Sequence, residues 1–240
     1  MALSELLQLL DQPLVPRRRV GYKMFYEGLN GKHQHQIFQA LPRQLKHLDS
    51  PHQGPGGGTV FYVDTEGRYS DFDYLEVAPT DVSTSVAWST TTPDCDLLAD
   101  TDCQTAFLTT SGEALNYVAM GTGRAATAAI IARHDAGEVS PAAYAAGVAD
   151  AYTTPTASDW FLPSKDELNE VCKYARNTGQ ATGAAIVCAG GLLRDDFSGN
   201  VFWSSSEYDD NDAWFQAFGD GYQASYLKNY SYFVRPVRAF

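Results

Sequence analysis

The sequence predicts an α+β fold in which a few helices pack against mostly antiparallel strands, with long irregular loops between them. Short runs of β-branched and aromatic residues, such as residues 59–64 and 74–78, stop at glycine or proline turns and are typical of strands. A Gly-Asp-Gly turn at residues 219–221 indicates a hairpin near the carboxy terminus. Further strands are predicted at residues 86–88, 159–163, 201–206, 213–218, 222–227 and 233–239.

Alanine-rich stretches in the middle of the chain predict two of the helices. The first covers residues 125–133, and the second covers residues 141–151. Ser140 followed by Pro141 is typical of a helix start, because serine caps free backbone N–H groups and proline suits the first turn. Residues 89–111, between the strands and these helices, are rich in threonine and aspartate without periodicity, and this indicates a loop.

A third helix has the strongest local signal in the chain. Ser164 begins it, and Glu167 three residues later completes a capping box, in which each side chain binds the backbone N–H of the other. Gly179 is predicted to end this helix. Cys172 is interpreted as a small buried apolar residue. It belongs to the predicted inner face, which consists of Leu168, Val171, Cys172 and Ala175.

Charge and glycine content predict two domains with a boundary near residue 54. Residues 1–54 contain seven basic and four acidic side chains, whereas residues 55–240 contain ten basic and twenty-five acidic ones. The run PHQGPGGG at residues 51–58 is typical of a linker or turn. Within the first segment, a short amphipathic helix is predicted from Leu3, Leu6, Leu7 and Leu10. It would pack either on its own domain or on a partner subunit.

Composition excludes several classes of partner. A net charge of −12 argues against nucleic acid and against an anionic membrane surface. No apolar run is long enough to span a bilayer, so we expect no membrane insertion. The first residues lack the order of a signal peptide, which predicts synthesis in the cytosol without Sec export. We expect no metal and no cofactor, and the spacing of Cys95 and Cys103 leaves open whether they form a bridge.

The last forty residues, 201–240, mix two kinds of position. One kind is structural in type and includes Trp203, the serines at 204–206 and Phe218. The other kind uses the vocabulary of antibody binding loops, in which tyrosine supplies contact area and small polar residues supply adaptable hydrogen bonds. The predicted ligand-binding residues are Tyr208, Asp209, Asp210, Asn211, Phe215, Ala217, Gly219, Tyr222, Ala224, Ser225, Tyr226, Asn229, Tyr230, Ser231 and Tyr232.

Six motifs occur in an order that resembles one family of bacterial and phage adhesin domains. The family has a C-type-lectin-like fold and is related to the carboxy-terminal domain of the Legionella collagen-like adhesin. The resemblance covers residues 55–240, whereas residues 1–54 match no known pattern. The motifs are GGGTVFYVD (56–64), GRAATAAII (123–131), DWFLPSKDELNEV (159–171), FWSSSE (202–207), AWFQAFGDG (213–221) and VRPVRAF (234–240).

This resemblance implies that the residues of the tail have two different roles, structural and ligand-binding. Arg235 and Arg238 would be held in buried or half-buried hydrogen bonds with carboxylates such as Glu207, and the ligand-binding residues would lie together on one exposed face. The core anchors would be Trp203, Trp214, Phe218 and Phe240.

The tail also resembles the variable proteins of diversity-generating retroelements, such as the phage major tropism determinant. In that group, adenine-directed mutagenesis rewrites asparagine-type codons and commonly yields Tyr, Ser, Asp, Gly or Ala. The resemblance therefore implies a diversified receptor-binding protein with a variable region at about 201–240. The alternative is an undiversified carbohydrate-binding adhesin.

An enzyme of the formylglycine-generating type is a remote alternative, because it shares the lectin-like fold. That chemistry needs a cysteine pair in the carboxy-terminal core, and residues 189–240 contain no cysteine. His134 is predicted to end a helix rather than to act as a base. The pairs Asp195–Asp196 and Asp209–Asp210 each lie in a polar turn, where solvated charges are common. We therefore expect no enzymatic activity.

Calcium-dependent sugar binding is a further alternative. Calcium takes six to eight oxygen ligands, of which residues 209–212 would supply some. The triplets that calcium-dependent lectins use for sugars are absent, and WSSSE occupies the comparable place. The expected partner is a cell-surface protein or glycan receptor.

The absence of a signal peptide favours a place on a phage tail, with the bacterial cell surface or the cytoplasm as alternatives. Residues 1–54 would attach the domain to a larger assembly or support a homotrimer.

Overall fold

A computed structural model describes residues 53–82, 85–89, 117–136, 139–178, 188–209 and 211–240. All of them belong to one compact unit, Pro51–Phe240. The predicted helix at residues 3–10, most of the predicted loop at 89–111, the cysteines 95 and 103 and Gly179 lie outside the described residues.

The fold is α+β and consists mostly of strands, as the sequence predicts. Three helices and eight strands are described, and every strand pairing is antiparallel. The helices are α1 (Gly123–Ala136), α2 (Ala145–Asp150) and α3 (Lys165–Ala175). The strands are β1 (Thr59–Val63), β2 (Tyr74–Val77), β3 (Val86–Ala87), β4 (Val201–Glu207), β5 (Asp212–Ala217), β6 (Gln223–Leu227), β7 (Ser231–Tyr232) and β8 (Val237–Ala239).

The strands form three small sheets. Strand order is β1-β2-β8 in the first, β3-β7 in the second and β4-β5-β6 in the third. The last strand of the chain therefore pairs with β2, about 160 positions earlier in the sequence. This pairing ties the carboxy terminus into the domain. In the third sheet, the order β4-β5-β6 leaves β6 at an edge.

The third sheet separates two apolar clusters, because neighbouring residues of a strand point to opposite faces. Phe202 of β4 packs with Phe218 and with the inner face of α3. Its neighbour Trp203 packs with Phe215 and Val234 on the other side, in a cluster that also receives side chains from α1 and α2. Both clusters are needed to hold the sheet in place.

The third helix forms as its sequence predicts. The Ser164 hydroxyl accepts a hydrogen bond from the Glu167 N–H at 3.2 Å, and the Glu167 carboxylate accepts one from the Ser164 N–H at 2.8 Å. The four predicted inner-face residues are all buried. Cys172 is fully buried, as predicted, but it also forms a disulfide with Cys188 that the sequence did not predict.

Tertiary packing alters one predicted helix and one predicted strand. The predicted helix at residues 141–151 is divided into a 3₁₀ turn, Pro141–Ala143, and α2, and Ser140 makes no side-chain cap. Tyr144 between them is extended, and its ring stacks on His134 with centroids 3.8 Å apart. The predicted strand at 159–163 forms only an isolated bridge, at Phe161.

The predicted strand at residues 233–239 is also shorter than expected. Pro236 lies within it and has no N–H to donate to a sheet. The regular ladder is confined to β8, after the proline, while β7 forms before it.

The glycine-rich run at residues 54–58 is part of the fold. The N–H groups of Gly56 and Gly58 donate to the buried Glu76 carboxylate at 2.8 and 3.1 Å. A Cβ atom at Gly56 would meet a Glu76 oxygen at 2.3 Å, so this close approach requires glycine. Arg238 completes the arrangement with an ion pair to Glu76 at 2.9 Å.

Candidate functional site

The hairpin of β5 and β6 carries seven of the fifteen predicted ligand-binding residues. It turns at residues 219–221, as the Gly-Asp-Gly signal predicts. Gly221 has a φ of 82°, and a Cβ atom there would meet the Cys188 carbonyl oxygen at 1.8 Å. Glycine is therefore required at this position both for its backbone conformation and for its close packing.

The register of the hairpin distributes its residues between two faces. Phe215 lies opposite Ala224, and Ala213 lies opposite Tyr226. Trp214 lies opposite Ser225, and directly opposed residues share a face of the sheet. The expectation of a single exposed face is therefore wrong, because Ser225 belongs with Trp214 while Tyr226 belongs with Phe215.

Four tyrosines form the main exposed group, which we call the tyrosine surface: Tyr222, Tyr226, Tyr230 and Tyr232. Tyr226 and Tyr230 contact each other edge to face, with ring centroids 4.5 Å apart. Tyr232 lies 6.3 Å from Tyr226 and 6.5 Å from Tyr230. Tyr222, Tyr226 and Tyr230 are exposed, and Tyr232 is half-buried.

Buried aromatic residues support the tyrosine surface from beneath. Phe215 retains only 8% of its exposure, so the expectation that it contributes contact area is wrong. Its ring instead lies 6.0 Å from Tyr222 and 5.2 Å from Tyr232. Tyr232 also contacts Trp203, which is fully buried, at 4.5 Å. The tyrosines thus stand on a rigid base.

Exposed apolar area is concentrated at this part of the fold. Among the residues that the structure describes, six large hydrophobic side chains are exposed, and five of them lie between residues 208 and 230. Scattered exposed hydrophobic residues are ordinary, whereas a concentration of them is typical of an interaction site. The five are Tyr208, Tyr222, Tyr226, Leu227 and Tyr230.

Tyr208 lies apart from the tyrosine surface, with Trp214. Their rings meet edge to face at 5.2 Å, and the Lys165 ammonium lies 4.3 Å from the centre of the Trp214 ring. The expectation that Trp214 anchors the core is wrong, since it is only half-buried. Trp203 and Phe218 are fully buried, as expected.

The remaining predicted residues are small and polar and lie around these aromatics. Asp209 and Asn211 flank a turn in which the Asp209 carboxylate accepts hydrogen bonds from the N–H groups of Asn211 and Asp212, at 2.9 and 2.8 Å. Asp210 lies outside the described residues. Gly219, Asn229 and Ser231 are exposed, whereas Ala217, Ala224 and Ser225 are half-buried.

Lys228 is a buried residue among the predicted ligand-binding positions, and sequence reasoning missed it. It is fully buried, forms an ion pair with Glu207, and lies 5.1 Å from the centre of the Trp88 ring. Its carbonyl accepts from the N–H of Trp88, and its own N–H donates to Asn211. The signal that could have found it is its type, because Lys228 is the one basic residue between positions 207 and 232.

The carboxy-terminal arginines use other carboxylates than expected. Arg235 pairs with Asp81 at 2.7 Å, and Arg238 pairs with Glu76 and Asp159. The suggested partner Glu207 is paired with Lys228 instead. Phe240, expected in the core, is half-buried and stacks on Tyr74 with centroids 5.3 Å apart.

The pKa values of three groups on or beside the hairpin, Asp212, Tyr226 and Tyr232, are raised. Partial burial, and then the neighbouring Asp209, raise the pKa of Asp212. A hydrogen bond and charge repulsion from Tyr230 raise the pKa of Tyr226, with smaller contributions from burial and from Asp212. Burial raises the pKa of Tyr232. The surface therefore combines neutral phenols with nearby carboxylates.

Comparison with known proteins identifies the family. Residues 78–238 match the family model of the Lcl C-terminal domain, which describes a C-type-lectin-like adhesin domain. The chain belongs to this family. A search of the curated proteins finds no match.

One solved structure that the chain matches is a fimbrial protein from Bacteroides ovatus ATCC 8483, at 13% sequence identity and a TM-score of 0.47. The alignment covers 80% of this chain and 46% of the fimbrial protein, so the chain spans less than half the length of that protein.

The WSSSE run has a structural role in this Lcl C-terminal domain. The Ser206 hydroxyl donates to the Tyr117 carbonyl and accepts from the Lys165 N–H, both at 2.8 Å. Ser204 donates to the Trp214 carbonyl at 2.8 Å. These bonds fasten β4 to the start of α3 and to the hairpin, which explains why small hydroxyl residues follow Trp203.

His134 is buried in the same Lcl C-terminal domain, beneath the sheet. Its Nδ1 donates to the Ile130 carbonyl at 2.8 Å, which leaves Nε2 to accept from the Ser89 hydroxyl at 3.4 Å. Both side chains are fully buried. This arrangement holds the ring in the core, and His134 lies in the last turn of α1, at the helix end that the sequence predicts.

In the described part of the chain, no three His, Cys, Asp or Glu side chains are grouped as a metal site would require. Of the helices described, none has the length and apolar character needed to cross a membrane.

Proposed function

We propose that this domain binds a receptor on a cell surface, and that the tyrosine surface makes the central contact. Adhesin and ligand binding are the roles that its family supports. Tyrosine is enriched at binding surfaces because its ring supplies apolar area while its hydroxyl keeps a hydrogen-bonding group at the edge. Three of the four tyrosines, Tyr222, Tyr226 and Tyr230, are exposed. Among the described residues between positions 222 and 232, Leu227 is the one other large hydrophobic side chain that is exposed.

The observation that carries this proposal is the separation of residue types by burial along the tail. Trp203, Phe218 and Lys228 are fully buried. Of the predicted ligand-binding residues that the structure describes, all except Phe215 are exposed or half-buried. A binding surface that changes while its support stays constant requires this separation.

We further propose that a retroelement diversifies these positions. The exposed and half-buried members of the predicted ligand-binding set are tyrosine, aspartate, asparagine, serine, alanine and glycine, which are types that mutation of adenines in asparagine codons produces. Placement on a phage tail tip, with residues 1–54 as the attachment segment and a homotrimeric assembly, is part of the same proposal. The neighbourhood of the gene tests this proposal. We expect a reverse transcriptase gene beside it, together with a near-copy of the last part of the gene that differs from it at adenines alone.

We propose binding rather than catalysis as the activity of the domain. The pairing of Ser89 with His134 has no carboxylate on the other ring nitrogen, which instead binds the Ile130 carbonyl. Both side chains are fully buried, whereas a nucleophile needs a route for its substrate.

A pair of libraries tests the proposal without a known receptor. The first varies the codons of Tyr222, Ala224, Tyr226 and Tyr230 among Tyr, Ser, Asn and Asp, and the second varies Trp203 and Lys228 in the same way. Protease resistance measures the folded fraction of each library. Selection on an immobilised test protein, hen lysozyme, then measures binding.

We expect most clones of the first library to remain folded and some of them to bind the test protein. Clones of the second library are expected to unfold, because removal of a buried aromatic side chain costs about 3–5 kcal/mol. Equal loss of folding in the two libraries would overturn the proposal. So would a folded first library from which no binder is recovered.

A further inference from the structure

We infer that the tyrosine surface accepts a positively charged partner, in which an arginine or lysine side chain enters among Tyr226, Tyr230 and Tyr232. The inference rests on the proposed receptor-binding function and specifies the chemistry of the receptor. Ring geometry and the distribution of charge support it independently.

The three rings present their faces in different directions around one position. Tyr226 and Tyr230 are inclined by 88°, Tyr226 and Tyr232 by 41°, and Tyr230 and Tyr232 by 48°. The centroids lie between 4.5 and 6.5 Å apart. A cation is attracted to the face of an aromatic ring when it lies within about 6 Å of the centroid. Rings inclined in this way allow one cation to contact two faces.

The charges around the rings favour the same partner. Between residues 207 and 232 the acidic residues are Glu207, Asp209, Asp210, Asp212 and Asp220, and the one basic residue is Lys228. Lys228 is buried and paired with Glu207, so neither of these two charges faces a ligand. The four aspartates are then not balanced by any basic residue of this stretch.

Asp212 pairs with Leu227 and shares a face of the sheet with Trp214, opposite the face of Tyr226. Its charge still contributes to the raised pKa of Tyr226. On the same face as Asp212, Lys165 is already engaged with the Trp214 ring. An anionic partner, such as a sulfated glycan, would therefore meet repulsion at the tyrosine surface, whereas a basic protein surface would be attracted to it.

The test uses three acetylated pentapeptide amides of sequence Gly-X-Gly-X-Gly. X is arginine, citrulline or glutamate. Citrulline has nearly the shape of arginine without its charge, so the pair isolates the effect of the cation. Titration of the full chain, followed by the ring signals of its tyrosines, gives the affinities. We expect the arginine peptide to bind about tenfold more tightly than the citrulline peptide, from contact with two ring faces and the nearby carboxylates.

Variants separate an aromatic contact from simple apolar contact. Tyr230→Phe keeps the ring face and should retain arginine binding, whereas Tyr230→Leu should lose most of the tenfold preference. Asp212→Asn should weaken binding of the arginine peptide but not of the citrulline peptide. Tyr208→Leu is the matched control, because Tyr208 is an exposed tyrosine that packs on Trp214, and it should leave the preference unchanged.

Equal binding of the arginine and citrulline peptides would overturn the inference, as would tighter binding of the glutamate peptide. Retention of the preference in Tyr230→Leu would also overturn it. Each of these results leaves the proposed function intact if the library of surface variants still yields folded binders. Loss of those binders, by contrast, contradicts the proposed function itself.

Discussion

At the scale of single residues, Lys228 shows how the fold buries one position between exposed neighbours. Leu227 and Asn229 on either side are exposed, yet Lys228 is fully buried. Its ammonium pairs with Glu207 and lies over the Trp88 ring, while its backbone joins two other segments. A buried ion pair adds little net stability but is costly to break, since the remaining charge is then unpaired.

Replacement of Lys228 by methionine should therefore lower the free energy of unfolding by about 3–5 kcal/mol. Methionine has a similar length, so the loss comes mainly from the unpaired Glu207 carboxylate. Urea denaturation of the variant measures the change.

The double variant Lys228→Met with Glu207→Gln serves as its control, because it removes both charges. We expect it to be more stable than Lys228→Met alone. If the double variant is less stable than the single one, the unpaired carboxylate is not the source of the loss.

At the scale of secondary structure elements, local sequence patterns predicted an element correctly where no contact with distant residues opposed it. The capping box of α3 and the turn at residues 219–221 formed as predicted, because the residues that determine them are adjacent in sequence. Contacts with residues distant in the sequence determine the elements that local patterns predicted wrongly. Tyr144 is extended because its ring stacks on His134, and this contact divides the predicted helix at residues 141–151.

The candidate site was predictable in composition but not in arrangement. Tyrosine-rich positions could be read from the sequence, and the exposed ones lie where expected. Strand register decides which of them share a face, and it depends on pairing between β5 and β6 that no local pattern specifies. This is why Ser225 and Tyr226 were wrongly placed on one face, whereas Phe215 shares the face of Tyr226 but is buried there. Likewise, no spacing rule identified the bond between Cys172 and Cys188.

That disulfide is expected to stabilise the attachment of α3 to the segment that follows it. It joins residues 16 positions apart, and a cross-link of about this length contributes about 3 kcal/mol in the chain-entropy account. Replacement of both Cys172 and Cys188 by alanine should lower the free energy of unfolding by that amount, as thermal or urea unfolding would measure.

A reducing agent provides the control. It should lower the melting temperature of the unmodified chain but leave the double alanine variant largely unchanged. If the reducing agent destabilises the two proteins equally, its effect lies elsewhere, for example at Cys95 and Cys103.

At the scale of the whole molecule, Glu167 connects segments that lie far apart in the sequence. Its carboxylate accepts hydrogen bonds from the N–H groups of Gly121 and Ser164, at 2.9 and 2.8 Å, before α1 and at the start of α3. A Cβ atom at Gly123 would meet this carboxylate at 2.2 Å. Ser206 joins the same region from β4. Disruption at Glu167 therefore affects several elements together.

Burial raises the pKa of Glu167 from 4.5 to about 7, against the opposing effect of its backbone hydrogen bonds. Burial is also the main cause that raises the pKa of Asp166 and of Glu170 in the same helix. Between pH 4.5 and 7 the folded chain retains a proton at Glu167 that the unfolded chain has released. Stability is then highest below that range and decreases as the pH rises through it.

The free energy of unfolding should accordingly fall by about 3 kcal/mol between pH 4.5 and 7.5, at about 1.4 kcal/mol for each unit by which the pKa is raised. Urea denaturation at several pH values measures this slope. Glu167→Gln should be less stable at low pH, since one acceptor oxygen becomes a donor facing an N–H group, but its slope should be flatter. An equal slope in the two proteins would show that Glu167 does not control the pH dependence.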